Sequence, residues 1–193
     1  MKQFNIVVLG STKGTDLEPI ITAIEKDILF AKILAVISNK SDAYILERAR
    51  NHNLPVFLIE SKGAELDEYN KKILTKLNEF NPDLIVLIGY MKILPPEVVR
   101  AFPNKIINVH PSLLPAFSGG MDLNVHQAVI DSGIKETGCT VHFVDETIDG
   151  GKIILQKKCA VTLNDTTDSL KNKVQELEGE ALIEVINNFS QKL

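Results

Sequence analysis

The chain has no tryptophan, only two cysteines, and aromatic residues at 6% of its 193 positions. Two cysteines, Cys139 and Cys159, cannot staple a fold of this length, and neither has metal-ligand spacing to a second Cys or His. They read as buried free thiols of a reducing compartment, and no metal is expected. No apolar run approaches the ~20 residues of a membrane helix. The stretch Met1-Lys2-Gln3-Phe4 enters an apolar run without the pattern of a signal peptide. The expectation is a cytoplasmic protein with no membrane partner. An excess of positive charge is also missing: 21 Lys and Arg stand against 25 Asp and Glu, a net charge of −4. That argues against a nucleic-acid partner. Repeats, low-complexity segments and linkers are absent too. What is there is an ordinary mixture, 45% hydrophobic and 24% charged, enough for one well-buried domain over residues 1–193.

Residues 5–9 form a short run rich in β-branched residues, read as a buried parallel strand. The turn formers Gly10-Ser11-Thr12-Lys13-Gly14-Thr15-Asp16 follow, and then Leu17, Ile20, Ile21 and Ile24 recur at helical spacing. Strand, small-residue loop, helix is a geometry that offers backbone N–H groups to a phosphate. The loop is neither the dinucleotide fingerprint nor the Walker loop, and a plain connection with Thr15 or Asp16 as N-cap explains the same residues. Further strands are expected at 33–38, 55–59 and 82–88, the last central because it is the most continuously apolar. Helices are expected from 41 to about 51, from 66 to 80, and from Pro95-Pro96. The connection Gly89-Tyr90-Met91-Lys92-Ile93-Leu94 is unusually apolar for a loop. It serves either as a staple for the next helix or as a ligand wall with one cation. After a fifth strand and a Gly-containing loop at 116–122, a helix carries Val125 to Ile130. Strands at 139–144 and 152–161 then pair antiparallel, and a final helix starts at Thr166 or Thr167. The fold class is α/β: a doubly wound, mostly parallel sheet with helices on both faces and an antiparallel C-terminal strand pair.

The fifth strand delivers Asn108-Val109-His110-Pro111-Ser112-Leu113-Leu114-Pro115. Asn108 and His110 are two apart and so project from one face of the strand, and Pro111 ends it. In open α/β sheets, sites are built at such strand ends. An Asn amide can donate to a developing oxyanion, and a His can carry a proton near neutrality. Asp149, in the acidic loop Asp145-Glu146-Thr147-Ile148-Asp149-Gly150-Gly151, would orient the His and raise its pKa. No activated Ser or Cys is evident, and Ser112 is not on a nucleophile elbow. The set suits direct attack of an amine on an acyl carbon. His142 reads as a structural strand residue, His126 as surface or loop-anchoring, and His52 as surface.

The octet at 108–115, together with Gly138-Cys139-Thr140-Val141-His142-Phe143-Val144 and the acidic loop, resembles the formyltransferase family that uses 10-formyltetrahydrofolate. From Ile6 to Phe189 the chain is similar to the members that formylate glycinamide ribonucleotide in purine biosynthesis. The resemblance implies a one-carbon transferase with two small-molecule substrates, glycinamide ribonucleotide and 10-formyltetrahydrofolate as co-substrate. It makes Asn108, His110 and Asp149 catalytic. Asn108 would hold the formyl oxygen, and Asp149 would keep His110 protonated. It assigns Gly14, Thr15 and Asp16 to the phosphate, and Gln175 and Glu178 of the last helix to the ribonucleotide. Met91, Lys92, Ile93 and Leu94 become the folate wall, facing Asp145, Glu146, Thr147, Ile148 and Asp149. Residues 1–100 then form a nucleotide-phosphate half and 101–193 a catalytic and folate half. The expected assembly is a monomer or weak homodimer.

The chain departs from that pattern in places. Asp16 stands where Asn is common, and a carboxylate beside a phosphate is unhelpful unless it turns away. Lys92 replaces a more usual Arg, a less pre-organised donor. The loop Phe117 to Asn124 differs, and Lys62 is the nearest stand-in for a folate-tail Arg. Transfer to methionyl-tRNA is disfavoured by the acidic charge and the lack of a C-terminal barrel. A formyltetrahydrofolate hydrolase would carry a leading regulatory domain and a second His where Pro111 stands. A non-catalytic nucleotide-binding module would leave Asn108, His110 and Asp149 unexplained.

Overall fold

The computed structural model describes residues 3–63, 65–119 and 123–191, with Leu123 and Asn124 described by their backbone alone. Gly120, Met121 and Asp122 of the divergent loop, and Met1 and Lys2 of the N-terminal stretch, lie outside the described residues. The first half of the chain runs β1 (Phe4–Gly10), α1 (Leu17–Glu25), β2 (Ala31–Ser38), α2 (Tyr44–Asn51), β3 (Val56–Leu58), α3 (Leu66–Phe80) and β4 (Leu84–Ile88). The second runs α4 (Pro96–Ala101), β5 (Ile106–His110), α5 (Leu123–Ser132), β6 (Glu136–Phe143), β7 (Ile153–Ala160) and α6 (Thr167–Ser190). The strands form one sheet in the order β3-β2-β1-β4-β5-β6-β7. Pairing is parallel from β3 to β5 and antiparallel for β5-β6 and β6-β7. The expected doubly wound sheet with an antiparallel end is what forms, with β4 in the middle. β1 and β4 are neighbours whose following connections leave in opposite directions, so a crevice opens beyond their C-terminal ends.

Alternation along the strands builds two cores. Ile6 and Val8 of β1 pack with α1, α2 and α6, whereas Val7 and Leu9 pack with α3 and α4. Strands covered on both faces must be apolar at every position, which is why 84–88 reads as an unbroken apolar run. Each such side chain contributes about 1.5–3 kcal/mol relative to exposure. α6 crosses α1 closely at Gly179, where a Cβ would lie 2.7 Å from Pro19 Cγ.

Boundaries differ where polar side chains intervene. Pro82 and Asp83 precede β4 instead of opening it, and the Asp83 carboxylate accepts the Asn5 N–H at 2.9 Å. β2 and β6 start earlier than their apolar runs, because the ladder with a neighbour continues through polar residues such as Lys32 and Glu136. Asp16 occupies the N-cap position of α1 but makes no capping hydrogen bond. Its φ of −75° and ψ of −8° are already helical, so the carboxylate cannot reach back. Thr166 does cap α6, through a reciprocal box with Ser169. Cys139 is buried as expected, and burial pushes its thiol up to about 12. Cys159 is only half-buried, because β7 is an edge strand.

Candidate active site

A cleft of about 1030 Å³ opens at the C-terminal ends of β1, β4 and β5, and the site residues expected from the sequence line it, Lys62 excepted. At one end the loop after β1 turns through Gly14, whose φ of +61° and contact with Ile45 exclude a side chain. A Cβ there would lie 2.2 Å from Ile45 Cγ1. The loop's carbonyl at Lys13 accepts the Arg48 Nε–H at 2.9 Å. Across from it, α6 supplies Gln175 and Glu178. Asp16 resolves its own incongruity: it is 8% exposed, and its Oδ1 is shielded without a hydrogen-bond partner. Burial pushes its carboxyl up to about 7, with the Arg48 charge pulling the other way.

The apolar wall follows β4. Ile93 is 72% exposed, and Ile148, which lines the same cleft, is 62% exposed, so both offer apolar surface to a ligand. Lys92 places its Nζ 4.6 Å from the centroid of the Tyr69 ring, and the Tyr69 and Tyr90 hydroxyls hydrogen-bond beneath it. In the facing loop Asp145 accepts the Thr147 hydroxyl and the Thr147 N–H, the latter at 2.8 Å, and these bonds hold its carboxyl below the usual range. Glu146 points outward into a bidentate pair with Arg100 at 2.8 and 3.0 Å. Lys62 does not reach the cleft; it lines a separate groove of about 800 Å³ beside α3.

The far end is made of side chains. The antiparallel register sets Asn108 of β5 directly opposite His142 of β6. His142 donates Nδ1–H to the Phe143 carbonyl at 2.8 Å, which leaves Nε2 to accept from the Asn108 amide at 3.2 Å. The second N–H of that amide remains for a ligand oxygen. Asp149, held at φ +51°, reaches both imidazoles: 3.4 Å to His110 Nδ1 and 3.7 Å to His142 Nε2. The Gly119 N–H steadies its carboxylate at 2.9 Å. The other His110 nitrogen lies 3.1 Å from the Phe117 carbonyl. Two acceptors face the ring, an arrangement that only an imidazolium satisfies fully. Burial nevertheless outweighs them and draws the His110 pKa below its ordinary value. Asp149 and the Phe117 carbonyl thus favour the protonated ring that the sequence led one to expect, and burial opposes it as the larger effect. Ser112 is spent on the Ala116 carbonyl at 2.6 Å and has no base.

His142 was expected to be structural and instead belongs to this cluster. Alternation placed it on a strand face, but only the β5–β6 register shows that this face is the one Asn108 shares. Of the two readings of His126, surface or loop-anchoring, the first does not hold: it is buried and lines the cleft, where α5 packs against α6. Among the described residues no group of His, Cys, Asp and Glu could hold a metal, and no helix is long and apolar enough to cross a membrane.

A model of the formyl transferase family matches residues 4–186. The chain belongs to the formyl transferase family. It is 43% identical to the phosphoribosylglycinamide formyltransferase of Haemophilus influenzae, over 96% of this chain and 87% of that protein. It is 40% identical to the trifunctional purine biosynthetic protein adenosine-3 of Gallus gallus over 91% of this chain, and it spans 17% of that protein's length. The solved phosphoribosylglycinamide formyltransferase of Coxiella burnetii superposes with a TM-score of 0.93 at 36% identity, covering 99% of this chain and 89% of that one. Asn108, the two imidazoles and Asp149 all line the cleft.

Proposed function

We propose that this formyl transferase moves the formyl group of 10-formyltetrahydrofolate to the amine of glycinamide ribonucleotide, a step of purine biosynthesis. The observation that carries the reading is the single cleft that joins a loop suited to phosphate, an apolar wall, and the Asn108, His110 and Asp149 cluster. The ribonucleotide phosphate lies against the backbone at Gly14, Thr15 and Asp16, and Gln175 and Glu178 meet the ribose. The folate lies along Met91, Lys92, Ile93 and Leu94, facing the loop from Asp145 to Asp149, with Lys92 toward its acidic tail. The amine nitrogen attacks the formyl carbon, and the carbonyl electrons move to the oxygen, where the Asn108 amide donates. Neutral His110 takes the proton that the attacking nitrogen loses, and Asp149 stabilises the imidazolium. Collapse breaks the bond from carbon to the folate N10, and His110 returns its proton to that nitrogen. No formyl-enzyme forms, consistent with Ser112 being engaged elsewhere.

The test is release of tetrahydrofolate with and without the ribonucleotide. Release is expected only when the amine is present. Equal release without it would make the protein a hydrolase, and no release in either case would overturn both readings.

A further inference from the structure

Ser11 sits in the loop assigned to the ribonucleotide phosphate, yet its N–H and its hydroxyl are directed elsewhere. It is 4% exposed. Its N–H donates to the Gly89 carbonyl at 3.1 Å. Its hydroxyl accepts the Met91 N–H at 2.9 Å and donates to Asn39 Oδ1 at 2.5 Å. A hydroxyl has one proton to give, so none is left for a phosphate oxygen. Asn39 continues the chain by donating to Ser61 Oγ at 3.1 Å, and its carbonyl accepts the Ser61 N–H at 3.3 Å. The loops leaving β1, β2 and β4, and the segment after β3, therefore meet at Ser11 and Asn39. A second close approach backs this one: a Cβ on Gly89, which has φ +55°, would lie 2.4 Å from Thr12 Oγ1.

We infer that Ser11 is a positioning residue for the folate wall: it fixes Met91 against the loop after β1, so its loss shows in folate binding and not in ribonucleotide binding. This rests on the functional reading above for which ligand each wall meets. Met91 is the first residue of the wall, and Ser11 is the acceptor that holds its N–H. Without that acceptor the N–H must find water, and the segment from Met91 to Leu94 loses its anchor.

The test compares Ser11→Ala with the parent in kinetics and in amide hydrogen exchange. The KM for 10-formyltetrahydrofolate should rise about tenfold, with kcat and the ribonucleotide KM within about threefold. Exchange at the Met91 amide should quicken about tenfold, with the amides of β6 and β7 unchanged. Ser11→Cys keeps the volume with a poorer acceptor and should shift both readouts the same way by less. It carries the test if Ser11→Ala fails to fold. A rise confined to the ribonucleotide KM, or unchanged exchange at Met91, would overturn the inference. Parent protein inactive with both substrates would overturn the functional reading, and the exchange result would still decide whether Ser11 holds Met91.

Discussion

The two ends of the cleft are built from different materials. The loop after β1 works through its backbone: Gly14 at φ +61° shapes it, and its one carboxylate, Asp16, is turned into the protein. The end at β5 and β6 works through side chains, with Asn108, His110, His142 and Asp149 linked by contacts of 3.2 to 3.7 Å. A backbone site tolerates changes of side chain that keep its path and fails when the path changes. A side-chain site keeps its shape after an isosteric change and loses its chemistry.

The largest effect should come at the side-chain end. Asp149→Asn keeps the volume and removes the charge that stabilises the His110 imidazolium. It should lower kcat about 100-fold or more, with the ribonucleotide KM within about threefold, in steady-state kinetics. Gly14→Ala should do the reverse. The new Cβ strains a left-handed residue and collides with Ile45, so the ribonucleotide KM should rise about tenfold while kcat holds. Equal losses of kcat in the two variants would erase the contrast between the ends.

Asp16→Asn gives a smaller, pH-dependent change. The carboxyl titrates at about 7 in the folded chain. It is therefore neutral toward a phosphate at pH 6 and repels it at pH 8. The variant should lower the ribonucleotide KM about threefold at pH 8 and leave it unchanged at pH 6. Stability follows the same group. Between the ordinary 3.8 and about 7 the folded chain holds a proton that the unfolded chain has lost, so this group's contribution falls as pH rises through that window. Thermal unfolding should show Asp16→Asn gaining most over the parent near pH 8.

The smallest effect lies outside the cleft. His52 bridges Glu25 and Glu18 at 2.9 Å each, and those hydrogen bonds raise its pKa above 6.5. Its contribution is complete below 6.5 and is lost as pH rises through the raised value. His52→Gln should cost under about 1 kcal/mol at pH 6, nothing at pH 9, and nothing in turnover.

The sequence made the two ends unequally legible. Asn108 and His110 could be paired from spacing alone, because strand geometry puts i and i+2 on one face. The doubly wound class with its antiparallel end followed from strand and helix alternation. His142 was missed because pairing across an antiparallel ladder depends on register, which local pattern does not set. The burial of His126 was missed because α5 is covered by α6, a contact between segments far apart in the chain. For His110 the neighbouring carboxylate is visible in sequence, whereas the burial that draws its pKa down is not. Ser11 looked like one more turn former, and its bonds to Met91 and Asn39 join residues 80 and 28 positions away.

The resting charge of His110 is the central point, and the pH dependence of kcat at saturating substrates, compared between the parent and Asp149→Asn, tests it most directly. The limb that moves between the two belongs to His110. It should ascend with pH, lie below the ordinary 6.5 in the parent, and shift lower when the Asp149 charge is removed. A moving limb that descends with pH, or no limb that moves, would contradict a neutral His110 supported by Asp149.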